Sequence, residues 1–206
     1  MLSRSSVLEL LFRATRFALP AVILLGLAGC VDAERPNVSA ETVTSFKLTS
    51  VSVDFAPNAA IHISPVEDQV HARGVYDREQ VAAAEKAQIR QVFAEVFSAV
   101  VGARLTGARP VAARIVVTGF NVPGPLMTAL ASGSYSVAAG VDLVDAATGA
   151  TLVSVPPGKI SNAVYQPGGV GGLIVQAVQS GDPSDRKTRQ LAQIFSNEYV
   201  QWLLGK

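Results

Sequence analysis

The chain has 206 residues, 49% hydrophobic and 16% charged, a balance that describes one folded domain and excludes a disordered chain. Its formal net charge is +1, and Arg4, Glu9, Arg13 and Arg16 all fall within the first 29 residues. The remaining 177 residues carry 14 basic and 15 acidic side chains, so no basic surplus is left to neutralise phosphates and nucleic acid is not an expected partner.

Met1 to Arg16 supplies the positive end of an export signal, and Phe17 to Leu27 supplies an apolar stretch ending in small residues. A membrane-spanning helix needs roughly 20 apolar residues. This stretch is shorter, contains Pro20, and is followed by Asp32, Glu34 and Arg35. Cleavage is therefore favoured over a retained signal anchor. The sequence Leu27-Ala28-Gly29-Cys30 resembles the lipobox of bacterial lipoproteins. That resemblance implies cleavage between Gly29 and Cys30, a diacylglycerol on the Cys30 sulfur, acylation of the new amino group, and hence a membrane partner. Two or more acyl chains anchor stably where one holds only marginally. Cys30 is the only cysteine, so a lipidated chain would have no thiol for a disulfide, a metal or a nucleophile. In lipoproteins of enteric bacteria, Asp directly after the cysteine is associated with retention in the inner membrane. Here Val31 holds that place and Asp32 comes next, which favours the periplasmic face of the outer membrane.

The expected organisation is a signal peptide over 1–29, a lipidated N-terminus and tether over 30–44, and one periplasmic domain over 45–206. Residues 31–44 lack a strong period and contain Pro36, Ser39 and Thr42. Asn37-Val38-Ser39 matches a glycosylation acceptor, which carries little weight in a bacterial protein. From Phe46 to Phe55 a strand is predicted. Phe46 and Leu48 alternate in one phase and Val51, Val53 and Phe55 in the other, which calls for a bulge near Thr49-Ser50. Residues 56–76, with Pro57, Pro65 and Gly74, are expected to be irregular.

Asp77 fits a helix N-cap with Gln80 three residues on, and the helix should run to about Val101. Ile89, Val92, Phe93, Val96, Phe97 and Val100 form its core stripe. Glu85, Lys86, Arg90 and Glu95 are expected largely off it. Gly102 or Gly107 would end it. A strand follows over Val111 to Phe120, then a loop over 121–133. Tyr135, Val137, Ala139, Val141 and Leu143 share one face of the next strand, with Ser134, Ser136, Gly140 and Asp142 on the other. The run Asp145-Ala146-Ala147-Thr148-Gly149 makes a turn, and Thr151 to Val155 returns. Ile160 to Tyr165 is a further extended piece, and Leu173 to Val178 a short helix. A last helix begins near Pro183 or Ser184, with Leu191, Ile194, Phe195, Tyr199 and Trp202 on one face. The order β-α-β-β-β-α implies an α+β fold with helices on one face of a mainly antiparallel sheet.

Asp145, Thr148 and Gly149 resemble the Asp-x-x-Thr-Gly hairpin of several periplasmic lipoprotein families, distantly including the curli-secretion lipoprotein. The pattern around it extends over residues 45–204, but the motif itself is only the turn, whose residues any hairpin favours. The resemblance implies a periplasmic α+β domain within an envelope assembly. Nothing in the sequence matches long pore-forming hairpins.

Candidate chemistry is sparse. His62 and His71 lie near Glu67, Asp68 and Asp77, but a nine-residue separation matches no tight metal-ligand spacing. Loop histidines are favoured, with His62 equally readable as the outward residue of a short strand. Glu67 and Asp68 would point apart in an extended chain. No Gly-x-Ser-x-Gly, Ser-x-x-Lys or His-Glu-x-x-His pattern occurs. Gly168 to Gly172 lacks the Lys-Ser/Thr of a phosphate loop, and Leu173-Ile174 follow. Arg186, Lys187 and Arg189, flanked by Asp182 and Asp185, fit a solvated first helical turn better than a lipid-headgroup site. Leu126, Met127 and Leu130 are apolar where turns are usually polar. They either close over the core as a lid or offer a contact to a partner or ligand.

The leading expectation is a non-enzymatic, lipid-anchored module that binds another envelope protein, with no cofactor and no metal. The runner-up is a carrier or sensor of an apolar small molecule or lipid, held near residues 121–133 and 168–178. A metal-assisted hydrolase around His62 and His71 ranks last.

Overall fold

Alternating apolar residues dictate a sheet, and two 3.6-period stripes dictate the helices that cover it. The computed structural model describes residues 38–124, 134–165 and 183–205, all within one compact unit, Pro36–Lys206. Helix α1 (Ala40–Thr44) leads into strand β1 (Phe46–Ile63), followed by α2 (Ser64–Ala72), α3 (Arg78–Gly102), β2 (Arg109–Val122), β3 (Ser134–Asp145), β4 (Thr151–Val155), β5 (Ser161–Tyr165) and α4 (Pro183–Leu203). The sheet order is β1-β2-β3-β4, and β5 pairs with the other half of β3. β1 and β2 run parallel, while every pair made by β3 is antiparallel. The expected α+β fold is the one observed. Its one parallel pair follows from α3, a 25-residue crossover between β1 and β2.

One face of the sheet packs under α3 and α4. Ile89, Phe93, Phe97, Phe195 and Tyr199 from the helices bury against Val53, Ile115, Val117, Val137 and Leu143. Phe93 meets Phe120 edge-on at 5.8 Å, and Phe97 lies 5.2 Å from Tyr199. Full burial of side chains this size contributes about 1.5–3 kcal/mol each before entropy is counted. On the opposite face, Ser52, Arg114, Asp142 and Ser154 line up across four strands.

Several local signals resolve as expected. Asp77 caps α3, its Oδ1 accepting the Gln80 N–H at 2.9 Å. The β1–β2 register slips between Leu48 and Ser50, which places the bulge at Thr49. Three regions differ. The last residues of the expected 30–44 tether form α1, whose Val43 is fully buried. The stretch after Phe55 is not irregular: β1 continues to Ile63 through a second register shift between Phe55 and Ala60. Pro57 is tolerated because β1 is an edge strand. Beyond it, Pro65 sits in the first turn of α2, where a missing N–H costs nothing. Finally, Gly107 is no helix terminator. Its N–H bonds the Phe46 carbonyl at 2.7 Å. A Cβ there would lie 2.2 Å from the Ser45 carbonyl oxygen, so only glycine lets the α3–β2 connection cross beneath β1.

Candidate functional site

The hairpin resembling the lipoprotein motif is a self-contained turn. Asp145 Oδ1 accepts from the N–H groups of Ala147 and Thr148, each at 3.1 Å, and from Thr148 Oγ1 at 3.2 Å. Its Oδ2 takes Arg109 Nε at 3.1 Å and Nη2 at 2.9 Å. The Arg109 guanidinium, then the Thr148 N–H, hold this carboxyl below its usual range. Gly149, at φ +72°, closes the turn. Every residue of the motif is occupied in building the bend.

At the opposite end of β1 the two histidines come together through one carboxylate. Glu67 Oε2 is 3.9 Å from His62 Nδ1, and Glu67 Oε1 is 3.9 Å from His71 Nε2. Ser64 Oγ lies 3.1 Å from His62 Nε2, and Tyr76, 72% exposed, stacks on His71 at 5.0 Å. His62 is the outward residue of a strand, the second of its two expected placements, and His71 is on α2. The contacts involving His62 and Glu67 are solvent-exposed. Among the described residues no three His, Cys, Asp or Glu side chains converge to hold a metal ion.

Beside this cluster lies a group the sequence pattern misplaces. Glu85 is buried, at 5% exposure, and its Oε1 accepts the Ile63 N–H at 2.5 Å. Removal from water pushes its pKa up, against the lowering effect of that hydrogen bond and of nearby His62. Ile63 is the last residue of an edge strand, so its donor needs a partner from outside the sheet.

Arg90, further along α3, serves the same edge: its Nε donates to the Val53 carbonyl at 3.2 Å. Arg90 and Lys86 both lie over the ring of half-buried Phe55, at 5.4 and 5.7 Å from its centroid. The basic residues of α4 are less solvated than their sequence implies. Arg189 forms a two-point pair with Glu95, at 2.8 and 3.2 Å. Lys187 sits 4.6 Å over Tyr135, and burial lowers its pKa. Gly29, Cys30, Leu126, Met127, Leu130, Gly168 to Gly172 and the expected helix from Leu173 to Val178 lie outside the described residues. Among those described, no helix is long and apolar enough to cross a membrane.

No protein-family model matches the chain, and no curated protein does. Solved structures do. Over 81% of its length the chain is similar to 97% of a candidate lipoprotein from Caulobacter crescentus CB15, at 12% identity and a TM-score of 0.31. Over 78% of its length it is similar to 92% of a chain of the PelC dodecamer from Paraburkholderia phytofirmans, at 11% identity and a TM-score of 0.30. A variant PelC dodecamer from the same organism matches over 75% of this chain and 88% of its own, at 15% identity and a TM-score of 0.28. Similarity at this level assigns no function to this chain.

Proposed function

We propose that this chain is a lipid-anchored envelope lipoprotein whose folded part binds another envelope protein and carries out no reaction. One observation carries the reading: Leu27-Ala28-Gly29-Cys30 ends a charged-then-apolar leader. Lipid on Cys30 would fix the compartment as periplasm-facing, with Val31 favouring the outer membrane. The binding role is supported by a sheet that, among the described residues, helices cover on one face only. The other face presents the row from Ser52 to Ser154, and β1 is an edge strand.

Replacing Cys30 by serine tests the anchor. The precursor should persist and the cleaved form should leave the membrane fraction. Mass spectrometry finding an unmodified Cys30 with residues 1–29 still attached would end the proposal. Crosslinked membranes yielding no reproducible protein partner would end its second half.

A further inference from the structure

Among the described residues, the outer edge of β1 is capped at its base and its tip but left open in between. At the base, the Gly107 N–H bonds the Phe46 carbonyl and the Leu48 N–H bonds the Leu105 carbonyl, at 2.7 and 3.3 Å. At the tip, Glu85 takes the Ile63 N–H. Between them the bulge at Thr49 resets which residues face outward. The Val53 carbonyl accepts from Arg90, a side chain of α3, so it is turned to the free edge. Alternation along the strand turns the main-chain groups of Val51 and Phe55 the same way. Among the described residues no strand pairs with the outer side of this stretch, whose inner side pairs with β2.

The edge also has a charge signature. Lys86 and Arg90 flank it over Phe55, and among the described residues neither has a carboxylate within ion-pair distance. Two cations here repel a second copy of the same edge, because symmetric pairing would bring four of them together. They favour a partner that brings acids.

We propose that residues 51–55 of β1 receive an extended segment of another protein as an added strand, and that Lys86 and Arg90 select a segment bearing carboxylates on the face toward α3. The incoming strand's N–H replaces Arg90 on the Val53 carbonyl, which releases the guanidinium to bind a carboxylate. Main-chain bonds set the register of the added strand, and the charge-assisted pairs to Lys86 and Arg90 supply the net affinity and the choice. This inference rests on the interaction-module reading and names the site and partner chemistry for it.

The test uses the full chain in detergent micelles and two capped hexapeptides, Thr-Glu-Val-Glu-Val-Thr and Thr-Lys-Val-Lys-Val-Thr. Amide hydrogen exchange is followed at single residues. The glutamate peptide should slow exchange at Val51, Val53 and Phe55 by about tenfold, corresponding to one net charge-assisted bond. The lysine peptide should have no effect. The double variant Lys86→Gln with Arg90→Gln should lose the response while keeping its circular dichroism spectrum. Equal slowing by both peptides overturns the proposal, as do edge amides already slow in the free chain. Slowing confined to the row from Ser52 to Ser154 overturns it too, yet leaves the interaction module standing. Loss of the module itself would show separately, as crosslinked membranes without a partner.

Discussion

The β3–β4 hairpin and the β1–α2 junction are each organised by a carboxylate that accepts backbone N–H groups, yet the two groups behave in opposite ways. Asp145 takes its donors from residues two and three positions ahead, stays near water, and meets a guanidinium. Its pKa falls. Glu85 takes one donor from a residue 22 positions behind it, is buried, and has no cation bonded to it among the described residues. Its pKa rises. A turn carboxylate shapes a local bend while remaining solvated. An edge-capping carboxylate satisfies a donor that the sheet cannot reach, and gives up water to do so.

The sharpest way to break this contrast is to remove Glu85. Glu85→Ala leaves the Ile63 N–H buried without an acceptor and opens a small void. Stability to urea should fall by about 2–3 kcal/mol. Glu85→Gln keeps an acceptor oxygen without the charge and should lose much less. The pH dependence has a definite sign. A carboxyl whose folded pKa is raised contributes most below the usual carboxylate range and loses that contribution as pH rises through the folded value. Mild acidification through that window should therefore stabilise the native chain relative to Glu85→Gln. Equal losses in the alanine and glutamine variants would show that the hydrogen bond to Ile63 is not what the carboxylate supplies.

A smaller effect comes from a buried polar group with no cap at all. Tyr199 is fully buried, and its hydroxyl has no hydrogen-bond partner among the described residues. Burial drives its pKa far up. Tyr199→Phe keeps the ring against Phe97 and Trp202 and removes the stranded hydroxyl. The thermal midpoint should rise, by a stabilisation of about 1 kcal/mol. A lower midpoint would mean that the hydroxyl has a partner, and that Glu85 is not unusual in being satisfied.

The same distinction explains what was legible in the sequence. Asp77 with Gln80, the phase change around Thr49, and the face shared by Tyr135 to Leu143 are signals within one or two turns of chain. Each resolves as predicted. Glu85 is invisible to such reasoning because its position on α3 acquires meaning only once Ile63 is an edge residue. The long strand beyond Phe55 was hidden by the register shift, which breaks the alternation that announces a strand, and α2 by Pro65, which signals a loop as readily as a helix start. Of the candidate site, the leader and Cys30 are legible because export signals are read as linear sequence. The open edge at residues 51–55 is not, since Arg90 and Val53 lie 37 positions apart and strand order decides which carbonyl is left over.

The smallest predicted effect is the mirror of the first. Asp145 is held below the usual carboxylate range first by its hydrogen bond from Arg109 and then by the Thr148 N–H. Its contribution is therefore present above that range and is lost as pH falls through the lowered folded value. Water screens the pair, so the change should be modest. Asp145→Asn retains an oxygen for the N–H groups of Ala147 and Thr148 but loses the charge facing Arg109. Its unfolding midpoint should approach that of the native chain as the solution is acidified, and fall behind as pH returns to neutral. Because Glu85 responds to acid in the opposite direction, a chain with both Glu85→Gln and Asp145→Asn should have an acid limb lying between those of the two single variants. If the two substitutions tilt that limb the same way, solvation does not separate the two carboxylates, and the edge-capping account of Glu85 fails with it.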